Sequence, residues 1–479
     1  MSSSQDPIAA TELLETGRGV IAAALFEQSD VSALKSQDPE LARSFDDLRN
    51  QLDAPASAGS LGIADRPTTA VEAEGGRRRE AEQQLTGLLE TIRSKPGFER
   101  FLLSASEADM LGSAQHGPIV VLNVSSYRCD ALTIQKSGIR LLELPRLSLK
   151  AINDHVRDLG SLETLGWLWD DIVCPVLDAL RFTSPPSDGR WPHGWWVPTG
   201  PLTRFPLHAA GYHLRRSGET ALDRAVSSYA PSIKAIMHSR RRPAAPVPES
   251  QYAVILSMEF TKDQKQPEFA SQEAREVLDM CKSMGIPPYQ LQSHKRRDVS
   301  SALEACRIFH FAGHDGTDST EPLQSQLLLD DWEQDPFTVE RLLEINLTLK
   351  PPFLAYLSAC GTGQILEDRS VDESIHLASA FQLAGFRHVV GTLWSVDDGL
   401  CVDMARMTYE YLRDKGMADE SVSRGLHRAT RTLRDEWVDG EGDARRGKCQ
   451  SSGARRDAAL DITLERRQPL WVPYVHFGV

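Results

Sequence analysis

From residue 117 onward the chain alternates short, almost unbroken apolar runs with longer stretches of mixed character. The runs are GPIVVLNV (117–124), YAVILSM (252–258), CRIFHF (306–311), FLAYLS (353–358) and RHVVGTLW (387–394). A strand covered on both faces needs apolar residues at every position, so these runs predict strands of a mostly parallel sheet. The stretches between them read as helices. EAREVLDMCKSMG (273–285) closes on a capping-type glycine, and DESIHLASAFQLAG (372–385) is apolar on most sides and so deeply packed. In 399–415, Cys401, Met404, Ala405, Thr408, Tyr411 and Leu412 share one stripe that ends at Gly416, which makes Cys401 a core thiol.

The first 110 residues follow a different pattern. Helices are expected over 10–26 and 38–52, with Pro39 at a first helical position, which together make 1–52 a helical region. DAPASAGSLGIADRPTTAVEAEGG (53–76) has the Ala, Pro, Gly and Ser content of a flexible linker. A helical connector spans 77–110; within it Leu85, Leu88, Leu89 and Ile92 fall at i, i+3, i+4 and i+7 of a helix over 77–94. The remainder, 111–479, is expected to be one α/β domain with right-handed crossovers. Residues 439–468 read as a polar, disordered insertion, and PLWVPYVHFGV (469–479) as a closing strand.

Composition narrows the function. A formal net charge of −14 excludes general nucleic-acid binding, which depends on cations that neutralise phosphates. No stretch approaches the roughly 18 apolar residues of a membrane span, and MSSSQDPIAA lacks the features of a secretion signal, so no membrane association and a cytoplasmic location are expected. Seven cysteines, at 129, 174, 281, 306, 360, 401 and 449, are odd in number and never spaced as CxxC, so they read as reduced thiols rather than a disulfide or zinc framework. No metal site or cofactor is implied. Loops such as AGHDGTD and ACGTG lack the GxxxxGK[ST] form of a phosphate-binding loop.

Reactive groups of an open α/β sheet gather at the carboxyl ends of its strands. Two runs end in such groups: CRIFHF leads to His314 and FLAYLS to Cys360. Gly313, Gly316, Gly361 and Gly363 around them permit tight turns with free amides. A thiol is a weak nucleophile near its ordinary pKa of roughly 8.5, and an adjacent imidazole activates it. The backbone N–H groups of Asp315 and Cys360 are the candidate oxyanion donors. Asp397 and Asp398 follow the run 387–394, where a loop reaching the site would bind a basic substrate residue. His310, four residues before His314, lies in a strand and reads as a buried, satisfied histidine. His208, His213, Trp195 and Trp196 read as packing residues.

The 46 residues from His314 to Cys360 compare with the spacing of about 50 in caspases, and SAC resembles their QAC. HFAGHDG, PLQSQLLLDDW (322–332), LSACGTG, HLASAFQLAGFRHVVGTLWSVDD (376–398) and the final aromatic run together resemble the CHAT domain of the caspase and separase superfamily of cysteine peptidases. The resemblance spans roughly 150–479, with WWVPTGPLTRFPLHAAGYH (195–213) similar to the domain's early strand and turn. It implies a caspase-like, mostly parallel sheet flanked by helices, a protein or peptide substrate, Cys360 as nucleophile and His314 as general base. The helical front end is similar to regions that precede CHAT domains in fungal proteins, where tetratricopeptide arrays are common, and implies a regulatory protein partner. No repeat of that kind is visible in residues 1–95. The family pattern has glycine directly after the histidine, whereas this chain has Asp315. That departure motivates the alternative of a catalytically inactive interaction scaffold on the same fold.

Overall fold

The structure is a computed structural model. It describes residues 7–479 apart from 18–30, 32–33, 36, 54–67, 97, 100, 104, 242–250, 263, 265–268, 319, 346, 348–349, 360–376, 397 and 450–468. The chain divides into two compact units, one of Met1–Ala22 with Ser106–Val479 and the other of Ala23–Ala105.

The smaller unit is built on the helices Pro39–Asp53 and Thr68–Arg93. Ile92 is buried with Leu34, Ala42, Phe45, Phe98 and Phe101, and Leu85, Leu88 and Leu89 pack against this cluster, so the helical spacing of the leucines has a matching core. The second helix starts at Thr68, inside the stretch that composition assigns to a linker. Pro7–Gly17 groups with the larger unit. There the Glu15 carboxylate accepts hydrogen bonds from the backbone amides of Ile233 and Lys234, both at 3.1 Å, and so caps the start of the helix Ile233–Arg241.

The larger unit is an α/β sheet flanked by helices. Its strands are β1 (Ile119–Asn123), β2 (Asp130–Gln135), β3 (Gly138–Glu143), β4 (His193–Pro198), β5 (Val226–Tyr229), β6 (Tyr252–Ser257), β7 (Cys306–Ala312), β8 (Asp315–Gly316), β9 (Gln326–Leu327), β10 (Phe337–Thr338), β11 (Leu354–Ser358), β12 (His388–Thr392) and β13 (Tyr474–Gly478). Ten of them form one sheet in the order β3-β2-β1-β4-β5-β13-β12-β11-β7-β6, while β8, β9 and β10 form a small ribbon. β6, β7, β11 and β12 run parallel, as do β1, β4, β5 and β13, and the two blocks meet antiparallel at β12 and β13. The final strand therefore joins the two halves from within the sheet. Every residue of β7, β11, β12 and β13 is buried, as their mostly apolar character favours.

Polar side chains are also sealed into this sheet. His193 Nε2 lies 2.7 Å from Ser228 Oγ, Ser228 Oγ 2.6 Å from His476 Nδ1, His476 Nε2 3.1 Å from His388 Nδ1, and His388 Nε2 3.5 Å from Asp419 Oδ1. The row crosses the adjacent strands β4, β5, β13 and β12 and ends on a carboxylate that Arg387 also holds. With neutral imidazoles each of the first three links has a donor and an acceptor, and His388 Nε2 then faces Asp419 without a hydrogen-bond partner among the described residues. Desolvation favours that state, pushing His193 and His476 well below the usual imidazole range and lowering His388.

One expectation needs correction. The helix that begins at Asp419 continues to Cys449, so residues 439–449 are helical rather than an irregular insertion; 450–468 lie outside the described residues. DGEGDARRGK carries no apolar stripe, and it extends a helix whose earlier turns bury Val422, Leu426, Ala429 and Leu433.

Candidate active site

β7 and β11 are parallel neighbours whose last residues, Ala312 and Ser358, stand opposite each other. Gly313 continues the pairing, its N–H donating to Ser358 O at 3.1 Å. A Cβ at Gly313 would lie 2.9 Å from both Met258 Cβ and the Phe311 ring, so only glycine fits where the chain leaves the sheet. His314 follows, half-exposed, its carbonyl accepting from Leu328 N–H at 3.0 Å. Asp315 and Gly316 then pair antiparallel with Leu327 and Gln326, which fixes the backbone on the far side of the histidine. On the neighbouring strand, Ala359 is buried and its carbonyl accepts from Thr392 Oγ1 at 2.7 Å. Cys360, Gly361, Gly363 and Asp397 lie outside the described residues. Asp398 begins the helix Asp398–Lys415.

Asp315 occupies an unusual position for a carboxylate. The residue as a whole is partly exposed, yet its Oδ1 is cut off from solvent and has no hydrogen-bond partner among the described residues. Its Oδ2 accepts a long 3.5 Å hydrogen bond from Thr317 Oγ1. Desolvation pushes its pKa up to about 7, with opposing hydrogen bonds from its own amide and Thr317. The folded chain thus holds a proton that the unfolded chain, at an ordinary value of 3.8, has released, so stability falls as pH rises from about 4 to about 7. Asp315→Asn is therefore expected to raise the melting temperature more at pH 8 than at pH 5, by several degrees. An equal shift at both pH values would show that the carboxyl is not held neutral.

Directly beneath this region lies a polar cluster. Glu273, buried on the helix Ala270–Ser283, accepts from Ser358 Oγ at 3.0 Å through Oε2. Its Oε1 lies 3.1 Å from His310 Nε2 but is poorly aligned for a hydrogen bond, which leaves both atoms without a well-formed one among the described residues. His310 Nδ1 sits 3.2 Å from Tyr409 OH, and its ring stacks on Tyr356 at 5.0 Å. His310 is buried, as a strand histidine should be. Glu273 and Ser358 escape a reading based on reactive residue types. Their signal is positional: Glu273 stands on the same i, i+4, i+8 stripe as buried Val277 and Cys281, where a surface glutamate does not belong.

The other singled-out residues serve packing. His208 bridges Tyr229 OH and Val472 O, each at 2.9 Å, and His213 Nε2 lies 2.7 Å from Ala209 O. Trp195 Nε1–H donates to Gly478 O at 2.8 Å, and Trp196 Nε1–H to Ser227 Oγ at 3.1 Å. Burial raises the thiols of Cys129, Cys174 and Cys306 and pushes Cys281 up to about 12, so none of these is poised as a thiolate. Tyr474 OH donates to Cys401 Sγ at 3.1 Å. Among the described residues no group of three or more His, Cys, Asp or Glu side chains is placed to hold a metal, and no helix is long and apolar enough to cross a membrane.

The ten-stranded sheet and its flanking helices define an α/β protein with a mostly parallel sheet. A sequence model of the CHAT domain matches residues 162–479, and the chain belongs to the CHAT domain family. β1, β2 and β3 precede the matched region and extend the same sheet. Among solved structures the chain is similar to Porphyromonas gingivalis RgpB in the complex of its pro- and mature domains, with TM-score 0.41 and 10% identity over 76% of this chain and 78% of that one. It is also similar to separase in the Saccharomyces cerevisiae separase–securin complex, with TM-score 0.48 and 11% identity over 88% of this chain and 34% of that one. No curated protein matches the sequence.

Proposed function

We propose that the chain is a cysteine endopeptidase whose His314–Cys360 dyad cleaves a protein substrate through a thioester, under the control of its helical N-terminal region or of a partner bound there. The observation that carries this reading is the in-register pairing of Ala312 with Ser358, which brings together the two strands whose continuations bear the imidazole and the thiol. In the proposed reaction His314 takes the Cys360 proton and the sulfur attacks the scissile carbonyl carbon. The C–N bond breaks as His314 returns the proton to the leaving amine. Water, deprotonated by His314, then adds to the thioester and releases the acid and the thiol. The amides of Asp315 and Cys360 would hold the oxyanion, and Asp397 and Asp398 would favour a basic residue in the substrate. The Asp315 amide is freer for that role when its carboxyl is protonated, because a neutral carboxyl attracts the N–H less strongly than a carboxylate.

Iodoacetamide tests the dyad without knowledge of the substrate. Alkylation of Cys360, followed by mass spectrometry, is expected to proceed at least about one pH unit below the range of a free thiol near 8.5. In His314→Ala it should return to that range. An unshifted profile in the unaltered chain would remove the dyad. The sealed Asp315 carboxyl beside His314 favours a second reading, an inactive interaction scaffold. Thiol-dependent turnover of a peptide library would exclude it.

A further inference from the structure

Four elements of the α/β unit meet through one chain of buried polar side chains. Tyr409 comes from the helix Asp398–Lys415, His310 from β7, Glu273 from the helix Ala270–Ser283 and Ser358 from β11. Three of these elements lead to groups of the candidate site. β7 leads to His314, β11 leads to Cys360 two residues past Ser358, and the helix Asp398–Lys415 starts at Asp398. The helix Ala270–Ser283 supplies none of them, yet it sends Glu273 to the centre of the chain, between Ser358 and His310.

Packing alone does not call for a carboxyl there. The helix also buries Ala270, Val277 and Cys281, and an apolar side chain of similar volume at 273 would complete that stripe without the cost of taking a carboxyl out of water. What the carboxyl adds is direction: its Oε2 accepts from Ser358 Oγ at 3.0 Å and so fixes the rotation of that hydroxyl. The Ser358 carbonyl in turn accepts from Gly313 N–H at 3.1 Å. Gly313 directly precedes His314 and is closely packed against Met258 and Phe311. Ser358 is thus a single residue with a hold on both strand ends. The next residue, Ala359, is held separately by Thr392 Oγ1 at 2.7 Å.

We propose that Glu273 is a positioning residue of the peptidase, which sets the spacing of the dyad by holding Ser358 between the ends of β7 and β11. It acts through Ser358 and not on the substrate, and the role rests on the His314–Cys360 reading above. A reacting pair has to be held to within about 0.5 Å, and a misplacement of about 1 Å costs about 10²-fold in rate. Because Thr392 still holds Ala359, loss of the Glu273 contact should cost less than that, about tenfold.

The pH profile of Cys360 alkylation by iodoacetamide in the full chain, followed by mass spectrometry, tests the role. In Ser358→Ala and in Glu273→Ala the midpoint should rise by about half a pH unit or more toward the free-thiol value near 8.5, because a looser dyad stabilises the thiolate less. Turnover of a peptide library should fall about tenfold in both. Glu273→Gln keeps an oxygen that accepts from Ser358 Oγ, and should bring the midpoint back to within about 0.2 of the unaltered chain. If Glu273→Ala does not fold, Ser358→Ala, which removes one oxygen, decides the matter. A lower melting temperature with an unmoved midpoint would reduce the contact to a stabilising one and overturn the role, as would a Glu273→Gln midpoint no lower than that of Glu273→Ala. A free-thiol profile in the unaltered chain would remove the dyad and this role with it, whereas a lowered profile that both alanine variants keep would remove this role alone.

Discussion

Replacing Cys360 by alanine is expected to abolish peptide cleavage, with kcat falling by about three orders of magnitude or more, while the circular dichroism spectrum stays unchanged. The size of the loss follows from the chemistry proposed for the sulfur. It is the atom that bonds to the substrate acyl group, and alanine offers no alternative nucleophile. Nor can another described thiol substitute for it: Cys281 and Cys306 are sealed in the core, with thiols raised by desolvation. His314→Ala should cause a loss of similar order, and the double variant should be scarcely worse than either single one, because two residues acting in one step are not additive. The measurement is a substrate-library profile of the purified chain against both variants. Cleavage that survives Cys360→Ala would remove Cys360 as nucleophile. Absence of cleavage in the unaltered chain and both variants would favour the scaffold reading.

The parts of the fold legible in the sequence are those whose physical requirement is written residue by residue. β7, β11 and β12 are buried on both faces, so most of their positions had to be apolar, and the runs were conspicuous. The pairing of β7 with β11, and hence the adjacency of their ends, follows the rule that places reacting groups at one end of parallel strands. The hairpin of β2 and β3 was not among the expected strands: β3 is an edge strand only half covered, so DALTIQKSGIRLLE shows no unbroken apolar run. β5, with sequence VSSY, was hidden for a related reason, since Ser228 is buried there as a hydrogen-bond partner of two histidines and not for its hydrophobicity. The same blindness covers Glu273 and the row from His193 to Asp419. Pattern reading equates burial with apolar character, and these groups are buried by pairing across strands distant in sequence. At the candidate site, His314 could be placed from the end of its strand, whereas the sealed state of the Asp315 carboxyl could not.

Those buried histidines set the response of the fold to acid. His193, His208, His213, His388, His427 and His476 are all lowered from 6.5, mainly by desolvation, with His208 and His213 at about 4 and His427 at about 3. A histidine with a depressed folded pKa is neutral in the native chain and protonated in the unfolded chain below pH 6.5. Its contribution is complete above that value and is lost as pH falls toward the folded pKa. Between pH 6.5 and 4.5 each of His208, His213 and His427 favours unfolding by about 2 kcal/mol, since the unfolded imidazole is already half protonated at pH 6.5, and the lowered His193, His388 and His476 act in the same direction. Asp315 works in the opposite direction over this interval, because its folded form already holds a proton; it offsets about 2.7 kcal/mol. Asp419, held below the usual carboxylate range by Arg387 and His388 against desolvation, loses its contribution only below about pH 4. The net of His208, His213, His427 and Asp315 alone is about 4 kcal/mol, a large share of the stability of a typical domain. The α/β unit is therefore expected to unfold cooperatively with a midpoint between about pH 4 and 5, rather than near pH 3 where carboxylates alone would set it. Tryptophan fluorescence reports on this unit alone, since all nine tryptophans fall between residues 167 and 471. The slope of stability against pH near 5.5 should correspond to uptake of about two protons or more, falling by about one in His208→Gln. Fluorescence that stays native to pH 3.5, or a slope of about one proton, would mean that these imidazoles are charged within the fold.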